Sequence, residues 1–471
     1  LMYGVMVGMS VSASRAIGMY LLQMLGIFVG RTYDMLTGLG LMALLLVLQE
    51  PERLFDVSFL MSFGAVLGIC ILTPVFSGGC WERDADAESE VKGITTWLRT
   101  VADILGDSAY ERNKYREGWR KVAYEGIRRM MSAVKGGFAA SVGVILFTLP
   151  VQLWFFYEIP VYSVLLNLLV LPFMSAVVAG GILSLIPGLG IVGTVDCLIL
   201  WWYEWICERF GELPGAVWCV GQPEIWQIAC YYAGIFLLVF GRRYVEAWKR
   251  RGTYGEENVP GVIIHSNRFQ HQIATVMILG LLIGLLTGNF DRGSRVTFLD
   301  VGQGDGIVVE TGQGAYLFDC GSTSRKNIGE YVLKPYLKSR GICSLRGVFV
   351  SHPDEDHMNG VLELLENGEE WGITAEQLFL PAIRESERRE TFEQLLAAAE
   401  DAGIPVSYIK CGDEIRDSQL RLLCLHPEEN TTLADANAYS ECFYVEIFAK
   451  KMKQEAIDDR KANDASGGSA I

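Results

Sequence analysis

Apolar residues come in long, nearly unbroken runs through the first 290 positions and in short stretches split by turns afterwards. Runs suited to membrane helices lie near 10–30, 36–49, 57–76, 137–157, 160–186, 190–207, 225–241 and 272–289, because a helix needs about 20 apolar residues to cross a bilayer core. The second is short for a full crossing and the sixth carries Asp196, so either is expected to be buried or re-entrant if it does not span. Between them, residues 77–136 alternate charged residues with Trp97, Leu98, Val101 and Leu105, the pattern of an amphipathic helical insert. The reading is a polytopic α-helical membrane domain over residues 1–290, followed by a different kind of domain.

That second domain is expected over 291–448. Val296–Asp300, Gly306–Glu310 and Ala315–Asp319 read as strands separated by glycine-rich turns. Helical patterns follow at Gly329–Arg340, Gly360–Glu366 and Ser386–Ala402, with strands at Leu378–Leu380, Val406–Ile409 and Leu420–Leu425. The order is that of an α/β domain. Residues 449–471 are polar and rich in Lys, Gly and Ser, and are expected to be a disordered tail.

Charge orients the helices. Arg120, Lys121, Arg128, Arg129 and Lys135 precede the fourth run, and Arg242, Arg243, Lys249, Arg250 and Arg251 follow the seventh, opening a basic loop at 242–271. Both basic segments should face the cytoplasm. Four crossings separate them, an even number, so the assignment is self-consistent, and the eighth run then delivers residues 291 onward to the opposite side. From Asp291 the chain holds 32 acidic and 19 basic residues, net −13 of the total −15, which argues against a broad basic nucleic-acid footprint on that domain. The eleven cysteines show no CxxC pair and cannot all pair within the chain, so most are expected to be free thiols. The chain opens Leu-Met-Tyr inside an apolar stretch and reads as a piece that lacks its natural start.

The densest chemistry is Ser351-His352-Pro353-Asp354-Glu355-Asp356-His357, directly after the apolar run Val348–Val350. Four potential ligands within six residues at the end of a strand suit a divalent metal. The spacing His352-x-Asp354-x-Asp356-His357 resembles the HxHxDH signature of the metallo-β-lactamase superfamily, with Asp354 in place of the second histidine. Asp319, ending Leu317-Phe318-Asp319, matches that superfamily's first motif and is expected to hold a ligand or the loop by hydrogen bonds. The resemblance implies an αββα domain and a two-metal site, with a bridging water made acidic by both charges and Asp356 central to catalysis. A carboxylate at Asp354 tilts preference from zinc toward manganese or magnesium. His426 is the remaining histidine after the cluster, and either reaches the metals or simply ends a strand. The later Gly-Asp strand end of the superfamily is not found, so the domain reads as incomplete or divergent.

Taken together, the chain resembles the ComEC/Rec2-type family of DNA-internalisation membrane proteins. The resemblance rests on Leu299-Asp300-Val301-Gly302-Gln303-Gly304-Asp305, on Ser351–His357 with Gly360, and on Gly8–Ala16, Asp56–Phe63 and Asn167–Pro172. It implies a multi-pass protein of the bacterial inner membrane, working with other DNA-uptake proteins. One strand of double-stranded donor DNA would pass as single-stranded DNA while an extracytoplasmic metal domain degrades the other. Asp300, Gln303 and Asp305 would then support the site. Arg15 and Asn167 either line the path or pair helices. Two other readings keep the same residues: a catalytically silent metal-binding gate, and a membrane metallohydrolase of another phosphoester.

Overall fold

The computed structural model describes residues 8, 10–77, 112–186, 188, 190–252, 268–290, 293–382, 390–428 and 440–448. Residues 78–111 of the expected insert, 253–267 of the basic loop and the whole 449–471 tail lie outside them. Contacts divide the chain into two units, one of helices up to Leu286 and one from Thr287 onward. The second also includes Phe156–Glu158 and Cys219–Pro223 from helix connectors.

All eight apolar runs form helices: α1 Val11–Val29, α2 Met35–Gln49, α3 Val57–Ser77, α4 Arg112–Phe156, α5 Ser163–Ser184, α6 Gly190–Gly211, α7 Ile225–Gly252 and α8 Arg268–Thr287. Six are long and apolar enough to cross a membrane, whereas α2 and the apolar part of α8, Ile273–Thr287, are shorter. The basic segment before the fourth run is continuous with it as the 45-residue α4, and α7 likewise carries its basic cluster to Gly252. Local chemistry sets the ends. Ser10 Oγ accepts from Ala13 N at 3.3 Å and Asp34 Oδ2 from Thr37 N at 2.8 Å, while α1 stops at Gly30 with φ 71°.

Helix packing in this unit depends on small residues. A Cβ on Gly68 would stand 2.5 Å from Gly143 O, and one on Gly143 would stand 2.9 Å from Gly68 O, so α3 and α4 cross at paired glycines. Tyrosines supply further ties: Tyr231 OH donates to Leu146 O at 2.7 Å and Tyr203 OH to Val170 O at 2.9 Å. Asp196 is buried on α6 against Gly180 of α5, where any Cβ would overlap its carboxylate. Large apolar residues such as Leu171, Ile182, Leu198, Trp201, Leu237 and Leu281 remain exposed, as expected of surfaces meant for lipid.

In the second unit the main sheet has the order β3-β4-β5-β6-β8-β9, with short β7 (Thr374–Ala375) beside β6. Strands β3 (Arg295–Phe298), β4 (Gly306–Thr311) and β5 (Gly314–Cys320) pair antiparallel, whereas β6 (Ser344–Phe349), β8 (Leu378–Pro381) and β9 (Val406–Ile409) continue in parallel from β5. Strands β10 (Glu414–Arg416), β11 (Leu420–His426) and β12 (Cys442–Ile447) make a second, antiparallel sheet. Short β1 (Glu158–Pro160) and β2 (Val217–Cys219) form a separate pair among the helix connectors.

Strand alternation puts Leu317, Val348, Val350, Leu378 and Leu380 in a core with helices α10 (Glu355–Trp371) and α11 (Glu390–Asp401). The short helix α9 (Lys334–Ser339) also reaches this core through Leu337. The opposite face, with Phe349 and Phe379, packs on Leu420, Leu422 and Cys424 of the small sheet. Phe349 stacks at 4.5 Å between Phe318 and Phe379. Among the described residues the layers are thus helices, mixed sheet and antiparallel sheet, the expected α/β domain without its last helical layer.

Candidate metal centre

The site forms where the parallel strands β5 and β6 end side by side. Three loops meet there: 299–305 after β3, 321–325 after β5 and 350–354 after β6. Contrary to a simple loop, the second half of the acidic cluster is the first turn of α10, with Asp354 at its N-cap position and Asp356 inside. The backbones come so close that a Cβ on Gly304 would overlap Gly321 O and lie 2.5 Å from Asp356 O. A Cβ on Gly321 would overlap His357 N. Asp305 N donates to Asp356 O at 3.1 Å and Gly321 N to Asp305 O at 3.0 Å, which locks the first loop under the helix start.

His352, Asp356 and His357 come together, each offering a ligand atom within 4.8 Å of the others. His352 Nε2 is 3.9 Å from Asp354 Oδ2, and His357 Nε2 is 4.0 Å from Asp356 Oδ2. Both Nδ1 atoms are engaged away from that centre. His357 Nδ1 lies 3.0 Å from Asp319 Oδ2, and His352 Nδ1 lies 3.1 Å from the hydroxyls of both Ser351 and Ser440. This arrangement leaves the Nε2 atoms for an ion, and such buttressing of the far nitrogen is what ligating histidines need. Two imidazoles and one or two carboxylates are a donor set that suits zinc or manganese.

Asp319 is the hub of the supports. It accepts from Ser351 N at 2.7 Å and from Ser351 Oγ at 2.6 Å, in addition to its contact with His357. Its φ of 54° is a left-handed conformation that a non-glycine residue seldom adopts, so the surroundings hold it there. The two imidazoles respond in opposite ways. Burial lowers the pKa of His352, and charge on His357 lowers it further. Burial also opposes charging of His357, but the Asp319 hydrogen bond and the carboxylates of Asp319, Asp356 and Asp305 outweigh it and raise its pKa.

The other expected residues are placed as follows. Asp300 pairs with Arg325 at 3.2 Å, and the Gln303 backbone bonds to Ser324 and Thr323, so these two pin the 299–305 loop to the 321–325 loop. Asp305 Oδ2 stands 3.8 Å from His357 Nδ1. His426 ends β11 opposite Cys442 and is not one of the three grouped ligands. In the helical unit, Arg15 Nε donates to Ser62 Oγ at 2.8 Å and its guanidinium lies 5.9 Å from the Phe63 ring, while Asn167 is half-buried on α5.

Three contributors carry no role of their own in the sequence expectations. Ser351 and Ser440 hold His352, and Glu441 lines a cavity of about 300 Å³ with Asp319, Ser351, Phe318, Phe349 and Phe443. Glu441 N donates to Ser351 O at 3.1 Å, but both carboxylate oxygens are buried without a hydrogen-bond partner among the described residues. Burial, reinforced by the Asp319 charge, raises its pKa well above the ordinary carboxylate value. Ser440 lies 88 residues from His352, and no spacing rule connects the two.

Fold and site together define a multi-pass membrane protein carrying a metallo-β-lactamase-type domain with a His/Asp/His group whose geometry could hold a metal ion. Residues 1–244 match the family described as "Competence protein" and residues 299–403 match the metallo-β-lactamase superfamily. The first match covers more than half of the sequence, and the chain belongs to the competence protein family. It is 24% identical over 299 residues to ComE operon protein 3 of Bacillus subtilis, covering 60% of this chain and 35% of that protein. It is also 24% identical over 390 residues to Recombination protein 2 of Haemophilus influenzae, covering 78% of this chain and 42% of that protein. The chain therefore spans well under half the length of either relative. Among solved structures, the diiron β-hydroxylase CmlA from Streptomyces venezuelae aligns over 38% of this chain and 33% of its own at 10% identity, with a TM-score of 0.21.

Proposed function

We propose that this chain is part of an inner-membrane channel that takes up single-stranded DNA, and that its metal domain hydrolyses the strand left outside. The observation that carries the hydrolytic part is the grouping of His352, Asp356 and His357 with both Nδ1 atoms already occupied. His352, Asp356 and His357 would hold one divalent ion, and Asp354, 3.9 Å from His352 Nε2, would help hold a second. When bound, such ions make water more acidic and offset the charge of a phosphodiester. The protein's own part is positional. Asp319 directs the His357 ring, Ser351 and Ser440 direct the His352 ring, and Gly304 and Gly321 let the three loops close around them.

Orientation follows from charge and helix count. The basic start of α4 and the basic end of α7 both suit the cytoplasm, and α4 to α7 are four crossings. With α8 as the return crossing, the metal domain lies outside. An acidic domain there meets DNA through its metal ions rather than through a basic groove.

The test uses the purified full chain with manganese and with zinc on labelled double-stranded DNA, beside His352→Ala and Asp356→Ala. Metal-dependent cleavage lost in both variants supports the reading. Wild type and variants that are equally inert, while DNA uptake in cells still fails with Asp356→Ala, would instead favour the silent gate.

A further inference from the structure

The second unit contains a covalent feature that the metal centre does not use. Cys219, at the end of β2, and Cys343, the residue before β6, are joined as a disulfide with Cα atoms 6.6 Å apart, within the span the bond needs. The two segments around it are fitted to each other. Gln222 N donates to Ser339 O at 2.7 Å, and Lys338 Nζ donates to Glu158 Oε2. Gly221 and Gly341 face each other with φ of 97° and 69°, and a Cβ on Gly341 would stand 2.7 Å from Val220 O. Neither position admits a side chain easily, on conformational or on spatial grounds. The cysteines therefore sit in a built contact between the connector entering α7 and the start of β6.

We propose that Cys219–Cys343 is an oxidatively installed cross-link that ties the connector before α7 to the metal domain, formed by a disulfide-carrying thiol oxidase outside the cytoplasmic membrane. This rests on the orientation proposed above, because cytoplasmic thiols are kept reduced. In the exchange, one cysteine thiolate attacks the oxidase disulfide and forms a mixed disulfide. The second thiolate then displaces the oxidase sulfur, so the oxidase leaves as a dithiol carrying the two electrons and the two protons that the cysteine thiols gave up. The bond closes a loop across a sequence separation of 124 residues that includes α7, α8 and strands β3 to β5. Of the four other cysteines in the domain, Cys411 and Cys442 are exposed, whereas Cys320 and Cys424 are poor competitors. Burial pushes the Cys320 and Cys424 thiols up to about 12, so neither supplies much thiolate for exchange.

The experiment places a protease site between residues 253 and 267, on the chain between the two cysteines. The full chain is expressed in membranes, its free thiols are blocked, and it is cut after solubilisation. In parallel, a membrane-impermeant maleimide is applied to intact spheroplasts, and labelling lost in Cys411→Ser reports the exposed Cys411 of the metal domain. The expected result is one band without reductant and two with it for the cut wild type, two bands in both lanes for Cys343→Ser, and Cys411 labelled from outside. Two bands without reductant while Cys411 is labelled would overturn the cross-link and leave the orientation standing. Two bands with Cys411 protected until lysis would overturn the orientation and the cross-link with it. The cut wild type decides the matter even if Cys343→Ser fails to fold.

Discussion

His357 Nδ1 and Asp319 Oδ2 lie 3.0 Å apart, across 38 residues of sequence, and this contact turns the imidazole so that its Nε2 faces Asp356. Removing the charge while keeping the shape should leave the fold and loosen the ring. Asp319→Asn is expected to weaken manganese or zinc binding by about 10–100-fold, read by calorimetric titration of the purified full chain. An unchanged affinity would mean that Asp319 only braces the Ser351 loop.

The same contact predicts a pH dependence. His357 is raised above its ordinary 6.5, so an incoming ion must displace a proton at a pH where an ordinary histidine has already lost it. Metal affinity should fall as pH drops from 8 to 6, and in Asp319→Asn the fall should begin at lower pH. Without metal the sign reverses. A raised folded-state value stabilises the protonated fold, fully below about 6.5 and not at all above the folded value. Parallel affinity curves for the two proteins would contradict this account.

Glu441 should be a stability cost at neutral pH. Its folded-state pKa is raised, so in the unfolded chain the carboxyl ionises as pH passes the ordinary 4.5, while in the fold it stays protonated, and stability is lost as pH rises through that window. Glu441→Gln is expected to gain about 1–3 kcal/mol near pH 7. The gain should vanish below about pH 4.5. Thermal unfolding of the full chain in detergent, followed across pH, gives both numbers.

Gly304→Ala should separate the site from the fold. The added Cβ overlaps Gly321 O and crowds Asp356 O, two backbone atoms that cannot step aside singly. The expected outcome is loss of metal binding with circular dichroism retained. Normal binding would show that the three loops are looser than their contacts imply.

In the helical unit, Gly143→Leu should break the α3/α4 crossing, whereas Gly280→Ala on α8 meets nothing within 4 Å and should be silent. Overpacking of this kind costs about 1–3 kcal/mol. A detergent melting series should therefore show a drop of several degrees for Gly143→Leu and none for Gly280→Ala.

How much of this was legible beforehand follows from the range of each interaction. All eight apolar runs became helices, because twenty apolar residues in a row leave few alternatives. The strand periodicity of 296–319 and the ligand cluster at 352–357 were equally local. The start of α10 inside that cluster was missed, since Asp354, Glu355 and Asp356 read equally well as an acidic loop or as an N-cap and first turn. Strand β10 was missed as well, for its three residues carry no period of their own.

The sequence by itself therefore determined the two-part architecture, the positions of the basic segments and the cluster of candidate ligands, all of which are written in neighbouring residues. Only the tertiary structure decided which groups hold those ligands. Asp319, Ser351 and Ser440 converge on the imidazoles from three separate segments, and Cys343 finds Cys219 across 124 residues. Such contacts depend on how sheets stack and loops close, and side-chain spacing along the chain carries no record of them.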